Sequence, residues 1–219
     1  MITLHHIPYS RSLRIMWLME EMGLGYEVQR YAITDGSLRT PEYLAKSPGG
    51  RAPALEIDGT VIFESPAITE YLCETRIEHG LGRLAGDSER IPFLQWLSYA
   101  ETQASIIASL NLQMVFLRPP AKASPVVLKL EVARLRGTLN VLEDALGDQD
   151  WLLPSGFSAA DTMMGFNLFA VPFFVELDPF PNVRAYIDRI KARPAYQAAL
   201  AKEGPQAFYA QDFYPVPVE

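Results

Sequence analysis

The 219 residues carry 49% hydrophobic, 21% charged and 11% aromatic side chains, a globular composition that excludes disordered, fibrous and low-complexity classes. A formal net charge of -7 opposes the basic footprint of proteins that grip phosphate backbones, so nucleic acid is not an expected partner. One cysteine, Cys73, and three histidines exclude an internal disulfide framework and leave too few soft ligands for a zinc site, so no metal is expected.

The chain opens on Met1-Ile2-Thr3-Leu4 with no basic stretch followed by an apolar core. No run approaches the roughly 18 apolar residues that span a bilayer. The expectation is a cytoplasmic protein with no membrane partner. Residues 2–7 are β-prone and stop at Pro8, which cannot donate to a ladder. From Ser12 an apolar pattern, Leu13 to Met22, runs to Gly23 behind small hydroxyl residues suited to capping. Tyr26 to Ile33 returns to β character, and a helical turn is expected from Thr40 to Ala45. Ala54–Ile57 and Thr60–Phe63, joined by Asp58-Gly59, spell a hairpin with a two-residue turn. Ser65 is read as the cap of a helix reaching about Ile77. The order βαβ, short helix, hairpin, helix implies one small mixed sheet with helices on its faces.

Gly80, Gly82 and Gly86 break the pattern, so a domain over 1–78 and a linker over 79–88 are expected. Beyond it strand signals nearly vanish. Helices are expected from Pro92 onward, over Val126–Leu146, Ala159–Val171 and Val183–Ala192, with prolines and glycines such as Pro154, Gly156 and Pro194 marking most of their ends. An all-helical domain over 89–203 and an extended, surface-packed tail over 204–219 complete the reading.

Several segments together resemble the glutathione transferase family, in its bacterial, serine-type members. They are His6-Ile7-Pro8-Tyr9-Ser10-Arg11-Ser12-Leu13-Arg14-Ile15, Glu20-Glu21-Met22-Gly23, Ser47-Pro48-Gly49-Gly50-Arg51-Ala52-Pro53, Glu64-Ser65 and Ser158-Ala159-Ala160-Asp161. Each motif is weak alone, and their ordered co-occurrence is what carries the likeness. It implies an α/β thioredoxin-like N-terminal domain followed by an all-α C-terminal domain, in agreement with the elements read above. It also implies a homodimer, with glutathione as co-substrate and conjugation to a hydrophobic electrophile as the activity. A glutathione-dependent isomerase, dehalogenase or peroxidase on the same fold stays open, as does a non-catalytic glutathione-binding or assembly protein.

The resemblance further implies that Pro53 is cis and that Ala52 offers its backbone to the cysteinyl unit; a plain turn proline is the alternative. Glu64 and Ser65 open a helix whose N–H groups suit the γ-glutamyl carboxylate, and Arg51 stands where the family often puts a basic residue that reaches the glycyl carboxylate, an exposed surface arginine being the alternative. The nucleophile is the thiolate. Lowering a thiol pKa from about 8.5 to about 6.5 takes roughly 2.7 kcal/mol. A hydrogen bond to the anion supplies roughly 1.5–3 kcal/mol and a helix N-terminus roughly 0.3–1 kcal/mol, so one hydroxyl and one helix start suffice. Ser12 is the expected hydroxyl, with Ser10 and Tyr9 as alternatives. His6 occupies the tyrosine-type position, and Arg11 the place of the cysteine in cysteine-type members, which argues against thiol–disulfide chemistry.

His5 and His6 adjoin on a strand and must face opposite sides. Packing and hydrogen bonding suffice to explain both, although one could approach the site. Ser158 and Asp161 fit a capping box of structural role. The electrophile is expected against the first helix of the second domain, at Tyr99, Gln103, Ile106, Phe116 and Leu117, where an apolar stripe is equally consistent with core.

Overall fold

A computed structural model describes residues 1–204, 206 and 208–216. The expected tail includes residues 205, 207 and 217–219, which lie outside the described set. Contacts divide the chain into two units, Met1–Arg90 with Lys191–Gln206, and Ile91–Ile190 with Ala207–Glu219.

The first unit holds a four-stranded sheet in the order β2-β1-β3-β4, with β1 Thr3–His6, β2 Glu27–Arg30, β3 Ala54–Ile57 and β4 Thr60–Phe63. β1 pairs parallel to β2 and antiparallel to β3, and β3 antiparallel to β4. The hairpin turns at Asp58 and Gly59 with φ of 53° and 76°, the doubly left-handed backbone that Asp-Gly favours. Around the sheet lie α1 Ser12–Glu21, the single turn α2 Pro41–Leu44 and α3 Ser65–Thr75.

α1 is buried on every side from Ser12 through Met19, Arg14 included, and a helix that is apolar all round must be covered all round. α3 and α8 Pro194–Glu203 both pack on it. Trp17, fully buried, meets Tyr196 of α8 edge to face with centroids 4.8 Å apart. Arg193 closes the contact with two bonds to the Glu21 carboxylate, from Nε at 2.7 Å and Nη2 at 2.8 Å. The sequence reading placed residues up to 203 in the helical domain and took Pro194 as a terminator. By contacts residues 191–206 group with the first unit, and Pro194 starts α8 in its first turn rather than ending a helix, where its missing N–H is no loss.

The second unit contains α4 Arg90–Asn111, α5 Pro125–Leu146, α6 Ala159–Ala170 and α7 Pro181–Lys191. Leu97, Leu110, Leu135, Leu139, Leu142, Met163, Met164, Leu168 and Val183 are among its core residues. The capping box is present. The Ser158 amide donates to Asp161 Oδ2 at 2.8 Å, while Asp161 Oδ1 accepts from the Leu152 amide at 3.1 Å and the Tyr186 hydroxyl at 2.8 Å. α4 runs into a rare π-helical turn at Leu112–Phe116. The described tail from residue 208 onward belongs to this unit: Tyr209 stacks on Phe173 at 3.9 Å, and the Tyr214 amide donates to the Phe173 carbonyl at 2.8 Å. No described helix is long and apolar enough to cross a membrane.

Candidate functional site

A cleft in the first unit is lined by Arg11, Ser47, Arg51, Ala52, Pro53, Glu64 and Ser65, and spans about 310 Å³ counting space open to solvent. All five residues expected to hold glutathione are thus on one wall, drawn from the loop before β3 and the start of α3. The Ala52–Pro53 bond is cis. Its approach loop is braced, since the Tyr43 and Ser47 hydroxyls both donate to the Arg51 carbonyl at 2.8 Å.

Ser65 does not cap α3 as expected. Glu64 takes the cap position with φ 71°, in the left-handed region, and makes no side-chain cap bond. Ser65 is the first helical residue, and its Oγ accepts from Nη1 of the fully buried Arg14 at 3.0 Å. A hydroxyl that accepts on one side keeps its proton for the other. With Pro66 lacking an N–H, the amides of Ser65 and Ala67 remain as first-turn donors of α3. The wall therefore combines two guanidinium groups, a donating hydroxyl and a helix start with one carboxylate, Glu64.

The three candidate activating hydroxyls flank Arg11 in sequence and are not among the residues that line the cleft. Ser12 is fully buried; its Oγ sits 2.7 Å from His6 Nδ1, 2.7 Å from Ser10 Oγ and 3.3 Å from the Ile7 carbonyl. Ser12, the expected activating hydroxyl, is thus enclosed, with the half-buried Ser10 hydroxyl beside it. Tyr9, with φ 55°, donates its phenol to the Gly204 carbonyl at 2.7 Å and its amide to Glu203. From this loop the cleft wall receives Arg11.

Sequence reasoning assigned no site role to Arg11, Arg14 or Glu203. A charge inside the run Leu13 to Met19 was the available signal for Arg14, because a buried guanidinium needs partners. For Glu203 there was none, since α8 itself went unread. His5 and His6 do face opposite sides. His5 Nε2 meets Glu56 at 2.7 Å and its Nδ1 meets the Tyr31 hydroxyl at 2.9 Å, a packing role under α2. Cys73 is buried, which pushes its thiol up to about 12.

In the second unit, Gln103 and Ile106 are core residues rather than an open lining. Gln103 is fully buried and donates to Thr138 Oγ1 at 2.9 Å, and Ile106 is 4% exposed. Tyr99 and Leu117 are half-buried, and Phe116 is 39% exposed with its ring edge-on to Phe208.

Sheet order, the cis Ala52–Pro53 bond beside the start of α3, and a separate helical unit define a thioredoxin-like domain followed by an all-helical one. The glutathione S-transferase N-terminal domain matches residues 1–74 and the C-terminal domain residues 125–189. The chain is 28% identical over 213 residues to Glutathione S-transferase 3 of Schizosaccharomyces pombe, covering 92% of this chain and 88% of that relative. Among solved structures it resembles a glutathione transferase of Phanerochaete chrysosporium in complex with oxidized glutathione, with 26% identity, TM-score 0.82, and 92% and 96% of the two chains covered. A sphingomonad glutathione S-transferase complexed with glutathione gives 25%, 0.77, 92% and 98%. The chain belongs to the glutathione S-transferase family and is an enzyme of that class.

Proposed function

We propose that the protein ionises the thiol of bound glutathione and conjugates it to a hydrophobic electrophile, as a serine-type transferase. The observation that carries this reading is the Arg14–Ser65 bond at 3.0 Å, which turns the Ser65 proton toward the cleft as a carboxylate donor beside the free amides of α3. Arg51 supplies a charge for the second carboxylate of the tripeptide and Ala52 a backbone edge for its cysteinyl unit. Ser10 is the hydroxyl that meets the sulfur, with Arg11 as the nearby cation and Ser12 behind it. The thiolate forms a new C–S bond, and the displaced electron pair leaves with the departing group or stays on the acceptor, which then takes a proton. Holding both reactants together and lowering the thiol pKa supply the rate gain.

Acceptor contacts are assigned to Tyr99, Phe116 and Leu117, the partly open members of the expected set. Thiol–disulfide chemistry is disfavoured by Arg11 at the cysteine-type position and by the inert Cys73. Isomerase, dehalogenase and peroxidase substrates belong in the same assay panel. Titrating thiolate absorbance of the glutathione complex tests the reading: the midpoint falls well below the free thiol and rises by about 1–2 units in Ser10→Ala. A midpoint at the free value overturns it. We further propose a homodimer, checked by sedimentation; a monomer only would remove that assignment.

A further inference from the structure

Behind Ser10 the polar contacts do not end at Ser12. Ser10 Oγ, Ser12 Oγ and His6 Nδ1 follow each other at 2.7 Å and 2.7 Å, and His6 Nε2 stands 3.0 Å from Oε2 of Glu203. His6 and the Glu203 carboxylate are shut off from solvent. The last pair is in ionic range but not aligned as a hydrogen bond, and neither atom has another hydrogen-bond partner among the described residues. Glu203 Oε1 accepts the Tyr9 amide. A carboxylate sealed in protein is costly without a compensating cation, and an imidazole is the group beside it that can become one.

We propose that Ser10, Ser12 and His6 form a relay that takes the glutathione thiol proton and keeps it inside the protein, with Glu203 of α8 as the counter-charge. The inference rests on the reading of this site as a thiol-activating centre. At the start each hydroxyl donates inward, S–H to Ser10, Ser10 to Ser12, and Ser12 to the Nδ1 lone pair of neutral His6. On ionisation the thiol proton moves to Ser10, the Ser10 proton to Ser12 and the Ser12 proton to Nδ1. The sulfur keeps its electron pair as thiolate, each hydroxyl still has one proton, and His6 becomes an imidazolium facing the Glu203 carboxylate. Each of the three hydrogen bonds from sulfur to Nδ1 survives with its direction reversed, so Ser10 Oγ, Ser12 Oγ and Nδ1 keep a partner before and after the transfer. Other ionisable groups about the pair are Tyr9 on the loop and Tyr196 on α8, both near Glu203, and Arg30 on β2, which is paired with His6 across the strands and whose guanidinium donates to the Lys202 carbonyl.

The test counts protons per thiolate. Glutathione is mixed with the enzyme in weakly buffered solution with a pH indicator, and thiolate absorbance is followed in parallel. Wild type is expected to release close to zero protons per thiolate formed. His6→Gln, which can still accept a hydrogen bond from Ser12 but takes no proton, is expected to release close to one, or to form little thiolate with kcat down about tenfold and KM for glutathione within about twofold. Glu203→Gln and Ser12→Ala should do the same, and His6→Gln added to Ser12→Ala should change nothing further. Thermal melting confirms folding, and any one folded variant of the three suffices. One proton released per thiolate in wild type, or variants that match wild type in both signals, overturns the relay while leaving thiol activation intact. Wild type that forms no thiolate overturns the reading beneath it instead.

Discussion

Arg14 shows how a buried residue can shape the cleft through a neighbour. Fully buried on α1, it fixes Ser65 Oγ as an acceptor, which decides where the Ser65 proton points. Ser65→Ala is expected to weaken glutathione binding by about 1.5–3 kcal/mol, roughly 10- to 100-fold in Kd. Arg14→Met should cost a similar factor. Because both act on one donor, the double variant should fall short of the sum by about 1 kcal/mol or more in a calorimetric cycle. Additive losses would assign Arg14 to packing alone. Arg11, on the cleft wall, is expected to raise the thiolate midpoint by about one unit when changed to Ala, read from the absorbance titration. Neither arginine announces itself in sequence as a site residue: one is a charge in a helix, the other a loop side chain at a position known only for what it replaces.

Elements whose signal is local were readable, and those fixed by distant contacts were not. The Asp58-Gly59 hairpin and the Ser158–Asp161 box carry their causes in neighbouring residues, and both are present. α8 does not. Its apolar residues form no single stripe, its first residue is a proline, and its reason to be helical is the face of α1 it covers, some 170 residues away in the chain, as in the Arg193–Glu21 separation of 172. Ser65 was misread for a related reason, since a hydroxyl at a helix start is ordinarily a cap, and only Arg14 from another helix redirects it. The α1–α8 contact should be a main source of stability in the first unit. Trp17→Ala, which empties its centre, is expected to cost about 3–5 kcal/mol, measured by urea denaturation.

At the scale of the molecule, acid stability has an identifiable source in the second unit. Burial pushes the Asp161 carboxyl up to about 6, against the hydrogen bonds it accepts from Leu152, Tyr186 and Ser158, which pull it down. The unfolded carboxyl titrates near the ordinary aspartate value of 3.8, so between these limits the native state binds the proton more tightly. That contribution is fully present below about 4 and is lost as pH rises through 6, with a slope of at most about 1.4 kcal/mol per pH unit. Relative to Asp161→Asn, the wild type should therefore gain stability between pH 7 and 4.5; a constant difference would mean the carboxyl titrates alike in both states. His5 works the other way, since burial lowers its pKa from 6.5, so its share is present above 6.5 and fades as pH falls. The return of residues 191–206 to the unit that begins at Met1 also bears on biosynthesis. A ribosome making this chain delivers the sheet and α3 early, yet the other side of α1 stays uncovered and the histidine beside it lacks its acidic neighbour until residues 194–203 have emerged. Premature termination anywhere before α8 would leave a chain with its sheet residues in hand and its site unfinished.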